Sequence, residues 1–238
     1  MSGHSKWATI KRSKAANDAK RGAIFTKLGN LITVAARDKG GDLDTNFALR
    51  MAVDKAKAAN MPKDNIEKAI KRGTGELEGG QIVELYYEGF GPANTQFIVK
   101  SLTDNKNRSA ANIRHLFANY GGSLGAVMWN FDQKGVIRIS NDEFRMENEE
   151  MELELIEAGA QEIKKEDEGT TIITNLADLQ PVIKYLDDKN IHTESAEIEY
   201  VPKDETSVEG DDKEKIEKFI EELDDNEDVA DYYTNAVA

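Results

Sequence analysis

Gly73–Gly80, GTGELEGG, is where the chain changes its period. Before it, apolar residues recur three and four apart, the spacing of helix faces. After it they alternate, the spacing of strands. Glycine-rich and set between two patterns, the stretch reads as a linker between a helical head and an α+β body.

Upstream, Ile24, Phe25, Leu28, Leu31, Ile32 and Ala35 form the apolar stripe of a helix expected from about Asn17 to Arg37. Asn17 or Asp18 can cap its start, and Gly40-Gly41 closes it by permitting positive φ. A second helix is expected over Thr45–Ala59, with Leu49, Ala52, Val53 and Ala56 turned inward. Asn60-Met61-Pro62 breaks the pattern, and Pro62 suits the first turn of a third helix carrying Ile66, Ala69 and Ile70. These three helices make a bundle, the domain 1–75.

Downstream, Gln81–Glu88 and Thr95–Leu102 read as strands joined by a turn at Gly89-Phe90-Gly91-Pro92. Ile113, Leu116, Phe117 and Tyr120 mark a helix over Asn105–Tyr120, and Val127, Trp129 and Phe131 alternate as a strand. Then come a strand at Gly135–Ser140 and a Glu-rich helix running to about Ala158. A strand pair over Gln161–Glu166 and Thr170–Thr174, a helix around Leu179–Leu186 and a strand at Ala196–Tyr200 complete the order. The sequence β-α-β-β-α-β is the ferredoxin-like unit, expected over 133–202. In the acidic C-terminal stretch, Ile216, Phe219, Ile220 and Leu223 form an amphipathic stripe that one helix and one strand cannot bury alone. That stretch is expected to return to the unit begun at 80, so that 80–132 plus 203–238 is one domain and the ferredoxin-like domain is inserted into it. The fold class is α+β.

Charge is divided along the same line. Residues 1–75 hold 16 of the 31 Lys+Arg and 7 of the 45 Asp+Glu, a local charge of +9. The remainder carries 31 − 16 = 15 basic and 45 − 7 = 38 acidic residues, or −23. Such asymmetry is the footprint of a polyanion-binding head, and nucleic-acid backbones are the commonest polyanion. The acidic body orients that head and suppresses indiscriminate coating. There are no cysteines, which excludes disulfides, thiolate metal sites and a Cys nucleophile. Met1–Lys20 is polar and basic, without a signal core, and no run of about 18 apolar residues exists. The expectation is a cytoplasmic protein without a membrane partner.

Within the head, Lys6, Lys11, Arg12, Lys14, Lys20, Arg21 and Lys27 reach for phosphates, and Trp7 among them can stack on a base. Trp7 can equally plug the bundle. Asn105, Asn107, Arg108 and Arg114, at a strand-to-helix turn, are a candidate second phosphate contact, though Asp104 or Asn105 can also serve as a plain cap. Helices two and three resemble a helix-turn-helix only weakly, because Lys63, Lys68, Lys71 and Arg72 supply charge but no base-reading row. His4, His115 and His192 lack metal-ligand spacing, and no nucleotide fingerprint or nucleophile motif is present. No enzyme activity, cofactor, metal or small-molecule substrate is expected.

Four stretches carry a resemblance: GHSKWATIKRSKAANDAKRG at the start, AVDKAKAANMPKDNIEKAIKRGTG over 52–75, YEGFGP over 87–92 and LTDNKNRSAANIRHLF over 102–117. With them the chain resembles the YebC/PmpR family, relatives of the mitochondrial translational activator of cytochrome oxidase. The resemblance implies a helical N-terminal domain and two α+β domains. It also implies a regulator of gene expression: a DNA-binding transcriptional regulator or, alternatively, a translation factor that binds ribosomal or transfer RNA on the ribosome. One departure stands out. After Gly121–Gly125 this chain runs directly into Ala126-Val127, where the family usually has several further residues.

Overall fold

The computed structural model describes residues 21–78, 80–140, 149–166 and 169–237. The proposed caps Asn17 and Asp18 lie outside them. The head contains α1 (Arg21–Lys39), α2 (Phe47–Ala58) and α3 (Lys63–Gly73). Ile32, Leu49, Val53, Ala56 and Ile66 form its core. Gly40, at φ 88°, ends α1 as its lack of a side chain permits. Buried Asn46 then turns the chain. Its carboxamide oxygen accepts the Leu49 N–H at 3.0 Å, while its NH₂ donates to the Ala35 and Gly40 carbonyls at 2.8 Å. One side chain thus caps α2 and satisfies the end of α1. On the other side, Thr33 donates its hydroxyl to the Ala69 carbonyl at 3.1 Å, joining α1 to α3.

The middle sheet has the order β3-β1-β2-β9, built from β1 (Val83–Phe90), β2 (Gln96–Thr103), β3 (Ser123–Leu124) and β9 (Val229–Thr234). β1 and β2 pair antiparallel from Val83↔Thr103 to Phe90↔Gln96, so the turn falls later than the glycine pattern suggests. α4 (Lys106–Asn119) and α7 (Gly210–Asp225) supply the sheet's cover, and β8 (Thr206–Ser207) pairs in parallel with β10 (Ala236–Val237). Phe219 of α7 sits edge-on to Phe97 and Phe117, with ring centres 4.9 and 5.0 Å away. Ile216, Ile220, Leu223 and Tyr232 are buried around them. The acidic C-terminal stretch therefore folds because one face of it completes this core.

Between β3 and β8 the chain makes β4 (Phe131–Ser140), α5 (Glu149–Ala158), β5 (Ala160–Lys165), β6 (Gly169–Thr174), α6 (Leu179–Asp188) and β7 (Ser195–Pro202). All pairs are antiparallel in the order β5-β6-β4-β7, which is the ferredoxin-like topology. Arg138 forms a buried fork with Glu199, one arm at 2.9 Å. One expectation is corrected. Val127, Trp129 and Phe131 do not share a strand: Met128–Asn130 is a 3₁₀ turn, and β4 begins at Phe131 and includes Gly135–Ser140. The Glu88 carboxylate accepts the Val127 and Met128 N–H groups at 2.8 and 2.7 Å and bends the chain there.

Two compact units result, residues 129–204 and the remaining described residues. In the second, α1 lies against the middle sheet. Val34 packs with Ile82 and Leu102, and the Asn30 and Arg37 side chains donate to the Leu102 and Ile82 carbonyls at 3.1 and 2.6 Å. No helix among the described residues is long and apolar enough to cross a membrane.

Candidate nucleic-acid interface

Of the head's candidate contacts, Lys6, Trp7, Lys11, Arg12, Lys14 and Lys20 lie outside the described residues. Arg21 is the first described residue of α1, and its side chain lies outside the description as well.

Lys27 does not face solvent as a free cation. Its ammonium donates to the Asp224 carbonyl in the last turn of α7. Burial pushes its pKa below the ordinary lysine value, while Asp224, Asp225 and Asp231 pull the other way. The helix C-terminus adds its own negative end to this cradle. Lys27 therefore joins the head to the acidic C-terminal segment.

The strand-to-helix turn is likewise organised by internal bonds. Asn105 is the N-cap of α4, its side chain accepting the Arg108 N–H at 3.0 Å. Thr103 takes the Asn105 N–H on its hydroxyl at 3.0 Å. Arg108 reaches across the chain to Asp228, with Nε–Oδ2 at 3.1 Å and Nη2–Oδ1 at 2.7 Å, and holds Asp104 at 3.0 Å. Asp228, hydrogen-bonded and close by, raises the guanidinium's pKa still further, with Asp104 adding to it. The Asp228 side chain is only 6% exposed, so Arg108 is the partner that lets a carboxylate be buried there. Asn105 and Arg108 thus serve the fold first. Asn107 and Arg114 of the same helix are exposed.

The structure brings together Asn105, Asn107 and Arg108 at one helix start and places Lys27 at a different junction. The α2–α3 pair is a packed hairpin of the bundle: Met61 in the connection is buried, as are Ile66 and Ala69 on α3. Sequence reasoning missed Glu88, Asn46 and Asp228 as organising residues. Glu88 and Asp228 act on partners that only the fold brings near, so no local spacing announces them. Asn46 caps α2 through Leu49 three residues on, a local cap that the expected helix start at Thr45 passed over.

A model of the TACO1/YebC protein N-terminal domain matches residues 5–76, and a model of the TACO1/YebC second and third domain matches residues 82–236. The chain is 48% identical over 240 residues to a probable transcriptional regulatory protein of Desulforapulum autotrophicum, covering 99% of this chain and 96% of that protein. A probable transcriptional regulatory protein of Thermotoga maritima is also 48% identical, covering 99% and 93%. The crystal structure of a conserved hypothetical protein from Aquifex aeolicus matches with a TM-score of 0.81 at 37% identity, over 93% of this chain and 92% of that one. With both family models together spanning nearly its whole length, the chain belongs to the TACO1/YebC family.

Proposed function

We propose that this protein is a non-catalytic regulator of gene expression that binds nucleic acid through its N-terminal arm and first helix, with duplex DNA as the polymer. The observation that carries this reading is the division of charge, +9 over residues 1–75 against −23 over the rest. Lys6, Lys11, Arg12, Lys14, Lys20 and Arg21 are the phosphate contacts, and Trp7 stacks or wedges beside them. Asn107 and Arg114 are secondary contacts. Lys27 and Arg108 are left out, since each is engaged with the acidic part of the fold. Support for transcription comes from the relatives named as probable transcriptional regulatory proteins. The acidic body keeps the complex specific by repelling duplex that the head does not hold. The protein acts in the cytoplasm.

Fluorescence anisotropy with labelled promoter fragments tests this. The expected result is saturable binding with a steep salt slope, abolished in the Lys11→Gln/Arg12→Gln/Lys14→Gln variant. Equal affinity for every duplex sequence counts against a transcription regulator. Tighter binding to ribosomal or transfer RNA than to any duplex DNA moves the function to translation.

A further inference from the structure

Some helix lysines of the described residues sit beside a carboxylate. Lys57 pairs with Asp54 at 3.2 Å, Lys63 with Glu67 at 3.6 Å and Lys215 with Asp212 at 3.2 Å. At one end of the helical bundle this pattern fails. Lys39, Lys68, Lys71 and Arg72 are exposed, and none of their side chains makes an ion pair or hydrogen bond among the described residues.

Lys68, Lys71 and Arg72 stand at i, i+3 and i+4 on α3, a spacing at which like charges repel. The helix dipole favours cations in the last turn and accounts for Lys71 and Arg72. It accounts likewise for Lys39 in the last turn of α1, and leaves Lys68, one turn earlier on α3, outside that effect. Glu67, one turn before Lys71, is taken by Lys63. Tight packing brings the end of α1 against the end of α3: a Cβ on Gly73 would fall 2.7 Å from that of Ala36, and one on Gly41 would fall 2.9 Å from a Thr74 methyl. Lys39 and the α3 cations are thereby gathered at the same end of the bundle. There Arg72 and Arg37 line a cavity of about 340 Å³, together with Glu78, Gly73, Gly75 and Gln81. Of the acidic neighbours, Asp38 is held by Arg37 Nε at 3.1 Å, Glu76 accepts the Thr74 hydroxyl at 2.8 Å and keeps its charge, and Asp64 stands one turn before Lys68 on α3.

Exposed like charges at this spacing repel one another, and a polyanion relieves that repulsion. We propose that Lys39, Lys68, Lys71 and Arg72 form a second phosphate-binding face, separate in sequence from the N-terminal arm, that takes the phosphodiester backbone of the bound nucleic acid. The face rests on the nucleic-acid reading above and extends it: the polymer is held at two places, and this one contributes affinity without base selection.

The test is the salt dependence of binding by the full chain, measured on a labelled 20-base-pair duplex and on a single-stranded RNA of equal length. In the Lys39→Gln/Lys68→Gln/Lys71→Gln/Arg72→Gln variant the slope of log K against log salt is expected to shrink by about 0.9 per lost contact on duplex, and by about 0.7 on the single strand. The loss should be the same for every sequence. A Lys68→Arg/Lys71→Arg variant keeps the charges and is expected to retain the wild-type slope, which separates lost contacts from lost folding. An unchanged slope in the Gln variant, with binding still lost in the Lys11→Gln/Arg12→Gln/Lys14→Gln variant, overturns the second face and leaves the proposed function standing. Failure of the wild-type protein to bind either polymer overturns both.

Discussion

Lys27 begins as one of the head's basic residues and ends in a cradle of backbone carbonyl and carboxylates at the end of α7. Its burial has a consequence for stability. Because the folded protein holds this proton less tightly than the unfolded chain does, the unfolded state binds more protons between the lowered pKa and the ordinary lysine value of about 10.4. The contribution of this site to stability therefore rises with pH through that window and is constant below it, where both states hold the proton. Urea unfolding of wild type and Lys27→Met is expected to show a stability difference that moves in favour of wild type as pH is raised from about 7 to about 10. A difference that stays flat or moves the other way would show that the carboxylates, not burial, dominate. Arg108 teaches the same lesson from the opposite side, since its fork on Asp228 joins residues far apart in the chain. In both cases the residue type was legible as cationic. The partner was not, because contacts of long sequence separation leave no local pattern.

At the scale of elements, apolar spacing identified α1, α2 and α3 to within a few residues over the described part, since helix faces are written in the sequence with a period of 3.6. The misreading at 127–131 has a definite cause. Alternation of Val127, Trp129 and Phe131 mimics a strand, but the Glu88 carboxylate turns the backbone and leaves Trp129 64% exposed. The Asn46 cap was missed because α2 was expected to start at Thr45, and its hold on the end of α1 depends on where α1 ends. Gly73 gives a prediction at this scale. A methyl there would meet the Thr33 carbonyl oxygen at 2.4 Å and the Ala36 side chain at 2.7 Å. In an isolated helix Gly→Ala is favourable by about 1 kcal/mol. Here Gly73→Ala is expected to destabilise by about 1–3 kcal/mol, because α3 must move off α1. Chemical denaturation checks the sign, and a stabilised variant would mean that the two helices part at little cost.

For the molecule as a whole, the two ends of the inserted unit are tied side by side. Buried Asn130 donates to the Asp204 carbonyl at 3.0 Å and accepts the Asp204 N–H at 3.1 Å, while Lys203 donates its N–H to the Asn130 carbonyl at 2.7 Å. The core of Phe97, Phe117 and Phe219 uses no residue of the inserted unit. Replacing residues 132–202 by a short Gly-Ser turn is therefore expected to leave the remainder folded, with a cooperative thermal transition and dispersed amide resonances. Loss of both would show that the inserted unit is needed to close the sheet. The sequence by itself determined the order and type of most elements, the α+β class, the inserted arrangement and the split between a basic head and an acidic body. Those properties are carried by local periodicity and by composition, both of which survive without coordinates. Only the tertiary structure decided which cations are held by partners within the fold: Lys27 and Arg108 are held by Asp224 and Asp228, whereas Lys39, Lys68, Lys71 and Arg72 project from the joined ends of α1 and α3. The reason is physical. A charge acts according to its distance from other charges and its exposure to water, and both are set by packing between residues distant in the chain.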